Sequence, residues 1–406
     1  MRAPPRIPCA RDRIATPSIL VPSDEPRVSR PVVGMIGGGQ LARMTAQAAI
    51  ALDVRLRVLA RSAAESAAKI AAEVVIGDHD DLDTLRAFAA DCDVITFDHE
   101  HVPTAHLAAL EAEGVAVRPG SEALVHAQDK VAMRERLSGA GIPCPAWALV
   151  SSVAEIEEFG ADLGWPVVVK TPRGGYDGRG VRLIDAAAEA EDWLPRGPLL
   201  VEAKVAFTRE LAVQVARSPH GQAAVYPVVE TVQRAGICRE VIAPAPITDE
   251  HALAAQRAAL AIAAELKVVG MLAVELFDTP AGVLVNELAM RPHNSGHWTI
   301  EGAVTSQFEQ HLRAVLDLPL GEVAMRAPHA VMANVLGADD PVRFPDLYDG
   351  YLHCLAHDPG LHIHNYGKTM VPGRKVGHVT VTGTDPDDLL ERARHAAAFL
   401  RGEIDG

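Results

Sequence analysis

Short apolar runs alternate with helical patterns in the first part of the chain. From Pro31 onward, the runs VVGMI, VRLRVLA, EVVIG, DVITF and GVAVRP read as strands, and the stretches near 62–72 and 82–90 between them read as helices. Another helix carries Leu41, Met44 and Leu52 on one stripe. Strand, helix and strand repeated in this way predict a parallel sheet with helices on both faces.

A second pattern lies in the segment VELFDTPAGVLVNELAMRPHNSGHW, where two apolar runs flank a turn-rich stretch and predict a β-hairpin. If Phe277 pairs with Val283, Glu275 and Glu287 share one face diagonally, and a one-residue bulge would separate them. Two carboxylates and the Asn286 amide suit Mg²⁺, which takes oxygen ligands and shares them with substrate phosphates. The alternative is a solvated face with ordinary acids, but such a face has no need of the RPHNSGHW tail.

A glycine-rich loop follows the predicted strand WPVVVK, which ends in Lys170. The loop GGYDGRG at 174–180 has four glycines in seven residues, so its backbone N–H groups can approach phosphate oxygens. Lys170 adds a point charge, and Arg179 adds a forked donor suited to an oxyanion. The loop lacks the G-K-[ST] ending of a P-loop. A hairpin turn without a ligand is the alternative.

Two glutamates follow this loop. Glu202 comes after an apolar strand, as expected of a hinge that offers backbone groups to a purine. Glu210 begins the next strand, where a carboxylate can accept hydrogen bonds from both hydroxyls of a ribose. Taken alone, each glutamate is better explained as a polar surface residue.

The turn Gly37–Gly38–Gly39 joins the first strand to a helix and, with Ala42, spells G-x-G-x-x-A, which resembles the dinucleotide fingerprint. The second strand ends in Arg61 instead of the acid that would hold a ribose, and Arg61 could accept the 2′-phosphate of NADP. An NADP-dependent oxidoreductase is therefore a rival enzyme class. The alternative is a tight turn that faces the phosphate of a smaller ligand.

Composition narrows the classes of partner. A chain of 406 residues predicts two or three domains, and its net charge of −15 argues against nucleic acid and against a membrane surface. No apolar run reaches the roughly 20 residues that span a bilayer. An anionic substrate would need local positive charge, which is available at 170–182, 291–297 and 368–375.

Cysteine usage and the leader bear on location. The five cysteines are scattered, so we expect reduced thiols in a cytoplasmic protein. Residues 1–31 are rich in arginine and proline and read as a disordered extension, with a transit peptide as the alternative.

Five strings occur in a recognisable order: GGGQLARM, AQDK, KTPRGGYDGRG, NELAMRPHNSGHW and PGRKVGH. They resemble the ATP-grasp fold and, more closely, the 5-(carboxyamino)imidazole ribonucleotide synthases, a biotin-independent family of purine biosynthesis. The resemblance covers roughly 32–400. It implies a mixed α/β and α+β architecture with three domains: a Rossmann-like pre-ATP-grasp domain at 32–125, a two-lobed ATP-grasp domain at 126–325 and a small β-rich domain at 326–406.

The resemblance also implies a reaction. MgATP, with one or two metal ions, would phosphorylate bicarbonate to carboxyphosphate. That intermediate, or the CO₂ that it releases, would carboxylate the exocyclic amine of 5-aminoimidazole ribonucleotide, and ADP and phosphate would leave. The resemblance implies that the reaction needs no biotin and that the protein is a homodimer.

Site residues follow from the same resemblance. The expected nucleotide contacts are Lys130, Lys170, Gly175, Tyr176, Gly178, Gly180, Glu202, Val205, Glu210, Asn286 and Glu287. The expected metal ligands are Glu275 and Glu287. The expected substrate contacts are Gln40, Tyr176, Arg291, His293, Asn294, Ser295, Lys368 and Arg374. The expected catalytic residues are Arg291, His293, Arg179 and Asp177, with the pKa of His293 near the operating range.

Two other classes of protein remain open. A formate-using ATP-grasp transformylase shares the ATP machinery but would depart from HNSGHW. A non-catalytic nucleotide-binding module would not need both metal carboxylates beside Arg291. The chain departs from the family pattern at Gln233, where His is expected, and at FDHEHVP, residues 97–103.

The C-terminal histidines raise the question of a metal. His353 and His357 are four residues apart, and His362 and His364 would share a strand face. The residues between the first pair read as strand, and no Cys or acid completes a tetrahedral set. Solvated strand histidines are the preferred interpretation. A helix is expected near 385–401.

Overall fold

A parallel sheet forms the first layer of the protein, for which the computed structural model describes residues 30–175, 179–338 and 344–405. Its strand order is β3-β2-β1-β4. The strands are β1 (Val32–Ile36), β2 (Arg55–Ala60), β3 (Glu73–Ile76) and β4 (Val94–Phe97). The helices are α1 (Gln40–Ala51), α2 (Leu82–Ala89), α3 (Thr104–Ala112) and α4 (Ser121–Gln128). The expected strand-and-helix alternation is therefore present, and the expected boundary at 125 lies inside α4.

Two elements predicted in this layer are absent from it. Residues 62–72 form turns instead of a helix, because their polar groups bond outward: the Ala67 N–H donates to the Gly38 carbonyl, and the Ser66 hydroxyl donates to the Tyr366 carbonyl. The run GVAVRP is not a strand. Val117 makes a single parallel bridge with Ile95, and Pro119 has no N–H with which to extend the ladder.

A four-stranded antiparallel sheet follows, in the order β5-β8-β6-β7. Its strands are β5 (Trp147–Val150), β6 (Val167–Lys170), β7 (Val181–Ile184) and β8 (Leu199–Ala203), and two helices accompany them, α5 (Lys130–Gly139) and α6 (Val153–Leu163). The glycine-rich loop connects β6 to β7. Strand β8 lies beside β6, so Glu202 comes next to Lys170.

Within the described part of the chain, the largest sheet has nine strands. They are β9 (Arg209–Arg217), β10 (Ala223–Val225), β11 (Val229–Arg234), β12 (Ile237–Ala243), β13 (Gly270–Thr279), β14 (Gly282–Ala289), β15 (His329–Leu336), β16 (His362–Asn365) and β17 (Lys375–Gly383). The order is β14-β13-β9-β11-β12-β15-β17-β16, with β10 on β9. The last three strands in this order therefore continue the sheet that carries the Glu275 hairpin.

Helices cover this sheet. They are α7 (Asp249–Glu265), α8 (Thr299–Gly302), α9 (Gln307–Val315), α10 (Tyr351–His357) and α11 (Pro386–Leu400). Helix α7 buries Ala255, Ala259 and Ile262, a spacing of one turn that places a single face on the strands. Helix α11 confirms the helix expected near 385–401. No helix among the described residues is both long and apolar enough to cross a membrane.

The C-terminal histidines divide between a helix and a strand. His362 and His364 lie on β16, as predicted. His353 and His357 lie on α10, so the strand prediction was wrong for them. A helix of seven residues gives only a weak periodic signal, and Cys354, between the two histidines, is buried in the same core as Phe399 and Leu400 of α11.

Candidate functional site

A cavity of about 1360 Å³ is lined by residues of the antiparallel sheet and of the nine-stranded sheet. Among the described residues, nine cationic and five acidic side chains line it, so it carries excess positive charge in a chain with a net charge of −15. The cations are Lys130, Lys170, Arg173, Arg179, Lys204, Arg291, Lys368, Arg374 and Lys375, and the acids are Glu100, Glu202, Glu210, Glu275 and Glu287. All three predicted positive segments contribute, which suits an anionic ligand.

The β13–β14 hairpin places Glu275 directly opposite Glu287. Near the turn, Phe277 pairs with Leu284, so the predicted register was off by one residue. A shift in register then leaves Asn286 as the extra residue of a bulge. The bulge was expected to separate the two glutamates, but in this register it brings them onto one face. Asn286 and Glu287 both line the cavity although they are consecutive.

A buried ion-pair network supports the bulge. The Arg134 side chain is fully buried, and its Nε donates to Glu202 Oε1 at 2.6 Å. Its second terminal nitrogen donates to the Asn286 carbonyl at 2.8 Å, which gives a partner to the bulged residue. Lys170 Nζ lies 2.8 Å from Glu202 Oε2 and donates to Asn286 Oδ1 at 3.2 Å. Arg134 therefore connects the antiparallel sheet, through Glu202 of β8, to the β13–β14 hairpin, through Asn286.

These cations determine how Glu202 behaves. Glu202 was expected to contact a purine, but its carboxylate is held by Lys170 and Arg134. Burial alone would raise the pKa of Glu202, and the two cations lower it below its usual value. The carboxylate is therefore ionised and occupied, whereas the neighbouring residue Val205 lines the cavity with the chain that follows β8.

Helix α5 begins at the cavity and positions Lys130. Asp129 caps the helix by accepting from the Val131 and Ala132 N–H groups at 3.0 and 3.1 Å. The Lys130 N–H donates to the Pro172 carbonyl at 2.9 Å, and its Nζ lies 3.6 Å from Glu287 Oε1. Two independent backbone anchors thus hold a cation beside the hairpin carboxylates.

Glu210 also faces these carboxylates. It begins β9, opposite Phe277 on β13. Burial and the nearby Glu287 carboxylate raise the pKa of Glu210 to about 7. Three carboxylates in one cavity wall repel one another, so the arrangement favours a bound cation.

The glycine-rich loop is described at its two ends. Tyr176, Asp177 and Gly178 lie outside the described residues. Gly175 and Arg179, which are both among the predicted site residues, line the cavity. Gly180 does not: its carbonyl accepts from the Thr171 N–H at 3.0 Å. Both glycines have positive φ, +84° and +71°, and a Cβ on Gly175 would lie 2.4 Å from the Arg179 carbonyl oxygen.

Arg291 and His293 lie where β14 ends. Arg291 Nε donates to Glu100 Oε2 at 3.0 Å and one terminal nitrogen donates to the Pro292 carbonyl at 3.1 Å. No described residue accepts from the other terminal nitrogen, so one donor of the fork remains for a ligand. His293 Nε2 lies 3.6 Å from Glu275 Oε1.

The expected pKa of His293 was wrong. Burial, Arg291 and Lys375 lower the pKa of His293 well below its usual value, so the ring is neutral near pH 7. Its Nδ1 accepts from the Ser295 N–H at 3.4 Å, which places the ring proton on Nε2, toward Glu275. The ring therefore orients groups and does not titrate near neutral pH.

Asn294 lines the cavity, and Ser295 does not. Neither amide atom of Asn294 has a hydrogen-bond partner of normal geometry among the described residues, although the Cys238 thiol lies beside it. Ser295 is buried, with its hydroxyl 2.8 Å from His293 Nδ1 and accepting from Gln214 at 2.8 Å. Ser295 therefore acts through His293, and Asn294 offers an unsatisfied amide to a ligand.

The far end of the cavity is cationic. The Lys368 ammonium donates to the Gln40 side-chain oxygen, which joins the start of α1 to the segment before β17. Arg374 and Lys375 line the same region. Gln40, Lys368 and Arg374 were predicted site residues, whereas Lys375 was not.

The glycine turn leaves no place for a dinucleotide. The Asp98 carboxylate accepts from the Gly39 and Ala42 N–H groups at 2.9 and 2.7 Å, and Glu65 accepts from the Gly38 N–H at 3.0 Å. Carboxylates thus fill the position at the helix N-terminus that a pyrophosphate would take. Arg61 is paired with Asp78 and Asp80 on the surface.

The two departures from the family pattern can now be placed. Gln233 lines the cavity. In FDHEHVP, Asp98 caps α1 and Glu100 holds Arg291. Arg134, the residue that sequence analysis missed most clearly, lies four residues after Lys130, so both fall on one face of α5. That spacing could have indicated the face of α5 on which Arg134 lies, although not the groups that it contacts.

Comparison with protein families gives three matches in chain order. A ribonucleotide synthetase preATP-grasp domain matches residues 31–128. An ATP-grasp domain matches residues 135–308. A phosphoribosylaminoimidazole carboxylase C-terminal domain matches residues 330–392.

Comparison with curated proteins agrees. The N5-carboxyaminoimidazole ribonucleotide synthase of Mycobacterium tuberculosis (strain H37Rv) is 56% identical over 377 residues, covering 91% of this chain and 88% of that protein. The protein of the same name from Corynebacterium ammoniagenes is 46% identical over 381 residues, covering 91% and 92%.

Solved structures match over nearly the whole chain. An ADP complex of an N5-carboxyaminoimidazole ribonucleotide synthetase has a TM-score of 0.84 at 34% identity, covering 94% of this chain and all of that one. The Aspergillus clavatus N5-carboxyaminoimidazole synthase, in complex with ADP and 5-aminoimidazole ribonucleotide, has a TM-score of 0.83 at 32% identity, covering 92% and 99%. The chain belongs to the N5-carboxyaminoimidazole ribonucleotide synthase family of ATP-grasp ligases.

Proposed function

We propose that this protein uses ATP and bicarbonate to carboxylate the amine of 5-aminoimidazole ribonucleotide, by way of carboxyphosphate, and releases ADP and phosphate. The observation that carries the proposal is the single cavity that joins a carboxylate hairpin, flanked by Lys130 and Lys170, to a second cluster of cations. One end suits a metal-bound triphosphate, and the other suits a second phosphorylated ligand.

The nucleotide lies at the Lys130 and Lys170 end. These two lysines contact its phosphates, Val205 offers backbone groups to adenine, and Glu210 accepts from the ribose hydroxyls. The Glu202 carboxylate is taken by cations, so its part is to hold Lys170 in place. Phosphoryl transfer depends on alignment and on charge stabilisation, which these fixed groups supply.

Glu275, Glu287 and the Asn286 amide fit one or two Mg²⁺ ions. Their oxygen donors share one face of the hairpin. Burial and, second to it, the Glu287 carboxylate raise the pKa of Glu210, so a bound cation would relieve part of the repulsion in this wall. Mg²⁺ held by these residues would offset the negative charge of the nucleotide phosphates. Neutral His293, with its Nε2 toward Glu275, orients that carboxylate.

The acceptor lies at the Arg291 end. The one terminal nitrogen of Arg291 that remains available binds bicarbonate or carboxyphosphate, and the unsatisfied amide of Asn294 faces the aminoimidazole. Gln40, Lys368 and Arg374 bind the 5′-phosphate of the ribonucleotide. Arg179 and the glycine-rich loop cover the cavity, because carboxyphosphate must be kept from water.

An ADP-release assay tests this function. With MgATP present, 5-aminoimidazole ribonucleotide and bicarbonate are omitted in turn, and full turnover should need both. Glu287→Gln should abolish turnover while the fold is kept, since one charge is lost at the metal. Glu265→Gln, an exposed residue paired with Arg136, is the matched control. The proposal is contradicted if the rate of ADP release is the same with and without the two substrates. It is also contradicted if NADPH raises the melting temperature of the protein and MgATP does not.

Two finer points belong to the same proposal. The protein acts as a homodimer, which sedimentation at several concentrations would test, a monomer at all of them being the contrary result. It works in the cytoplasm without biotin, consistent with four described cysteines that form no disulfide. A formate-dependent reaction in place of the bicarbonate-dependent one would point back to the transformylase.

A further inference from the structure

Three histidines outside the cavity lining come together on two helices. His353 and His357 lie one turn apart on α10, and His395 lies on α11. Each offers one ring nitrogen, and the three nitrogens lie within 4.8 Å of one another. Two histidines spaced i, i+4 on a helix and a third from its neighbour form a chelating set.

The ring nitrogens of this cluster lack partners. Nε2 of His353 and Nε2 of His395 are both buried, and neither has a hydrogen-bond partner in the described part of the chain. Most buried polar side-chain atoms are satisfied, so two orphans in one cluster need an explanation. A metal ion that accepts both lone pairs would satisfy them.

The rings are also held in place by packing. The His353 ring stacks on Phe399 with centroids 3.8 Å apart, and the His357 and His395 rings stack at 4.6 Å. A neutral imidazole is the form that binds metal, and packing between α10 and α11 keeps the donors together without the metal.

We propose that His353, His357 and His395 bind one divalent transition-metal ion of the Zn²⁺ class, with a fourth position open to water. Imidazole is a ligand suited to Zn²⁺, Cu²⁺ and Ni²⁺. Tetrahedral Zn²⁺ with bonds of about 2.0–2.1 Å needs nitrogens about 3.4 Å apart, and the three nitrogens already lie within 4.8 Å of one another. The ion joins α10 to α11 and is separate from the Mg²⁺ site.

A second group, Asp78, His79 and Asp80, also has three potential ligands within reach of one another. It carries no such proposal, because Arg61 already pairs with both carboxylates, at 2.7 and 2.5 Å. The histidine cluster differs in this respect, because Nε2 of His353 and Nε2 of His395 have no hydrogen-bond partner among the described residues.

Calorimetry with Zn²⁺ tests the site on the full-length protein without an affinity tag, treated with EDTA and free of nucleotide. We expect one tight ion per chain. His353→Gln and His395→Gln should each weaken binding by at least about tenfold, since even the loss of an outer hydrogen-bond partner of a ligand costs 10- to 100-fold. His220→Gln, on an exposed histidine paired with Asp317, is the matched control.

A second measurement separates this site from the cavity. Co²⁺ should give the visible absorption of a four-coordinate site, which Zn²⁺ displaces, and the signal should persist in Glu287→Gln. His357→Gln, at the exposed member, keeps the test decisive if His353→Gln and His395→Gln unfold the protein. The proposal is overturned if the wild type binds no Zn²⁺ saturably, or if folded His395→Gln or His357→Gln binds it as tightly as the wild type.

Discussion

Glu100 holds Arg291 from across the cavity. Its Oε2 accepts from Arg291 Nε at 3.0 Å, and its Oε1 accepts from the Met290 N–H at 2.9 Å. Both partners lie just past β14, and Glu100 lies just past β4. One carboxylate from the parallel-sheet domain therefore fixes the chain that leaves the β13–β14 hairpin, and it orients the remaining donor of Arg291.

Glu100→Gln should lower turnover with 5-aminoimidazole ribonucleotide by about 10- to 100-fold, because a misplacement of about 1 Å at a reacting group has that effect. The affinity for MgATP should stay near that of the wild type. Arg291→Met should have a larger effect, about 10²-fold or more, since it removes a donor to the developing oxyanion. Calorimetry with nucleotide and turnover with bicarbonate are measured on the same preparations.

A parallel loss of nucleotide affinity and turnover in Arg291→Met would place Arg291 in the nucleotide site. Glu111→Gln is the control for Glu100→Gln. The Glu111 carboxylate also accepts a hydrogen bond from a backbone N–H group, that of Ser121, but Glu111 does not line the cavity. Glu111→Gln should leave kcat unchanged.

Arg134→Met should reduce the free energy of unfolding by about 3–5 kcal/mol, because it leaves the Glu202 carboxylate buried with one cation fewer. Arg86→Met is the contrast, since Arg86 and Glu113 are both 43% exposed and a surface pair contributes about 1 kcal/mol or less. Urea denaturation of both variants measures the difference. Equal losses in the two would show that burial of the Arg134 network has no energetic consequence.

The double variant Arg134→Met/Glu202→Leu separates stability from positioning. An apolar replacement of a buried ion pair often restores stability, so urea denaturation should show recovery relative to Arg134→Met. The affinity for MgATP should remain low, because Lys170 has lost its carboxylate and Asn286 has lost the donor to its carbonyl. Recovery of both quantities together would assign Arg134 a structural role alone.

Glu210 predicts a pH dependence of stability. Its pKa rises from 4.5 to about 7 on folding, so between these values the folded protein binds more protons than the unfolded chain. The stability of the nucleotide-free protein should therefore fall as the pH rises through that window. Glu210→Gln should remove this part of the fall, whereas Glu265→Gln should keep it. Melting temperatures between about pH 5 and about pH 8 decide the matter.

The same residue predicts a pH dependence of binding. Ionised Glu210 is the form that accepts from both ribose hydroxyls, so the KM for MgATP should fall as the pH rises through about 7. Glu210→Gln should make the KM higher and nearly independent of pH in this range. If the KM of the wild type for MgATP does not change with pH across this range, Glu210 does not contact the nucleotide.

The sequence predicted which face of the hairpin carries Glu275 and Glu287, but it did not predict their register. A period of two residues assigns side chains to faces, and an inserted residue such as Asn286 leaves no mark in it. Arg134 was missed for a related reason. Its role depends on a carbonyl 152 residues away, and no local pattern contains that contact.

Local pattern also failed where tertiary contacts override it. The alanine-rich segment 62–72 has good helix formers, yet its groups bond to Gly38 and to Tyr366, which is 300 residues from Ser66. The pKa of His293 could not be inferred either. Its residue type suggests titration near neutral pH, and only the three-dimensional surroundings, burial with Arg291 and Lys375, show otherwise.

The pairing of β12 with β15 makes the last domain inseparable from the rest. A chain ended near residue 325 would keep the hairpin carboxylates together with Lys130 and Lys170. It would also expose the edge of β12, a row of unsatisfied N–H and C=O groups with Val241 and Ala243, both fully buried in the intact fold. Such an edge recruits other strands. Shortened versions of this enzyme should therefore self-associate. In the intact chain, the C-terminal strands prevent such aggregation because β15 pairs with the edge of β12.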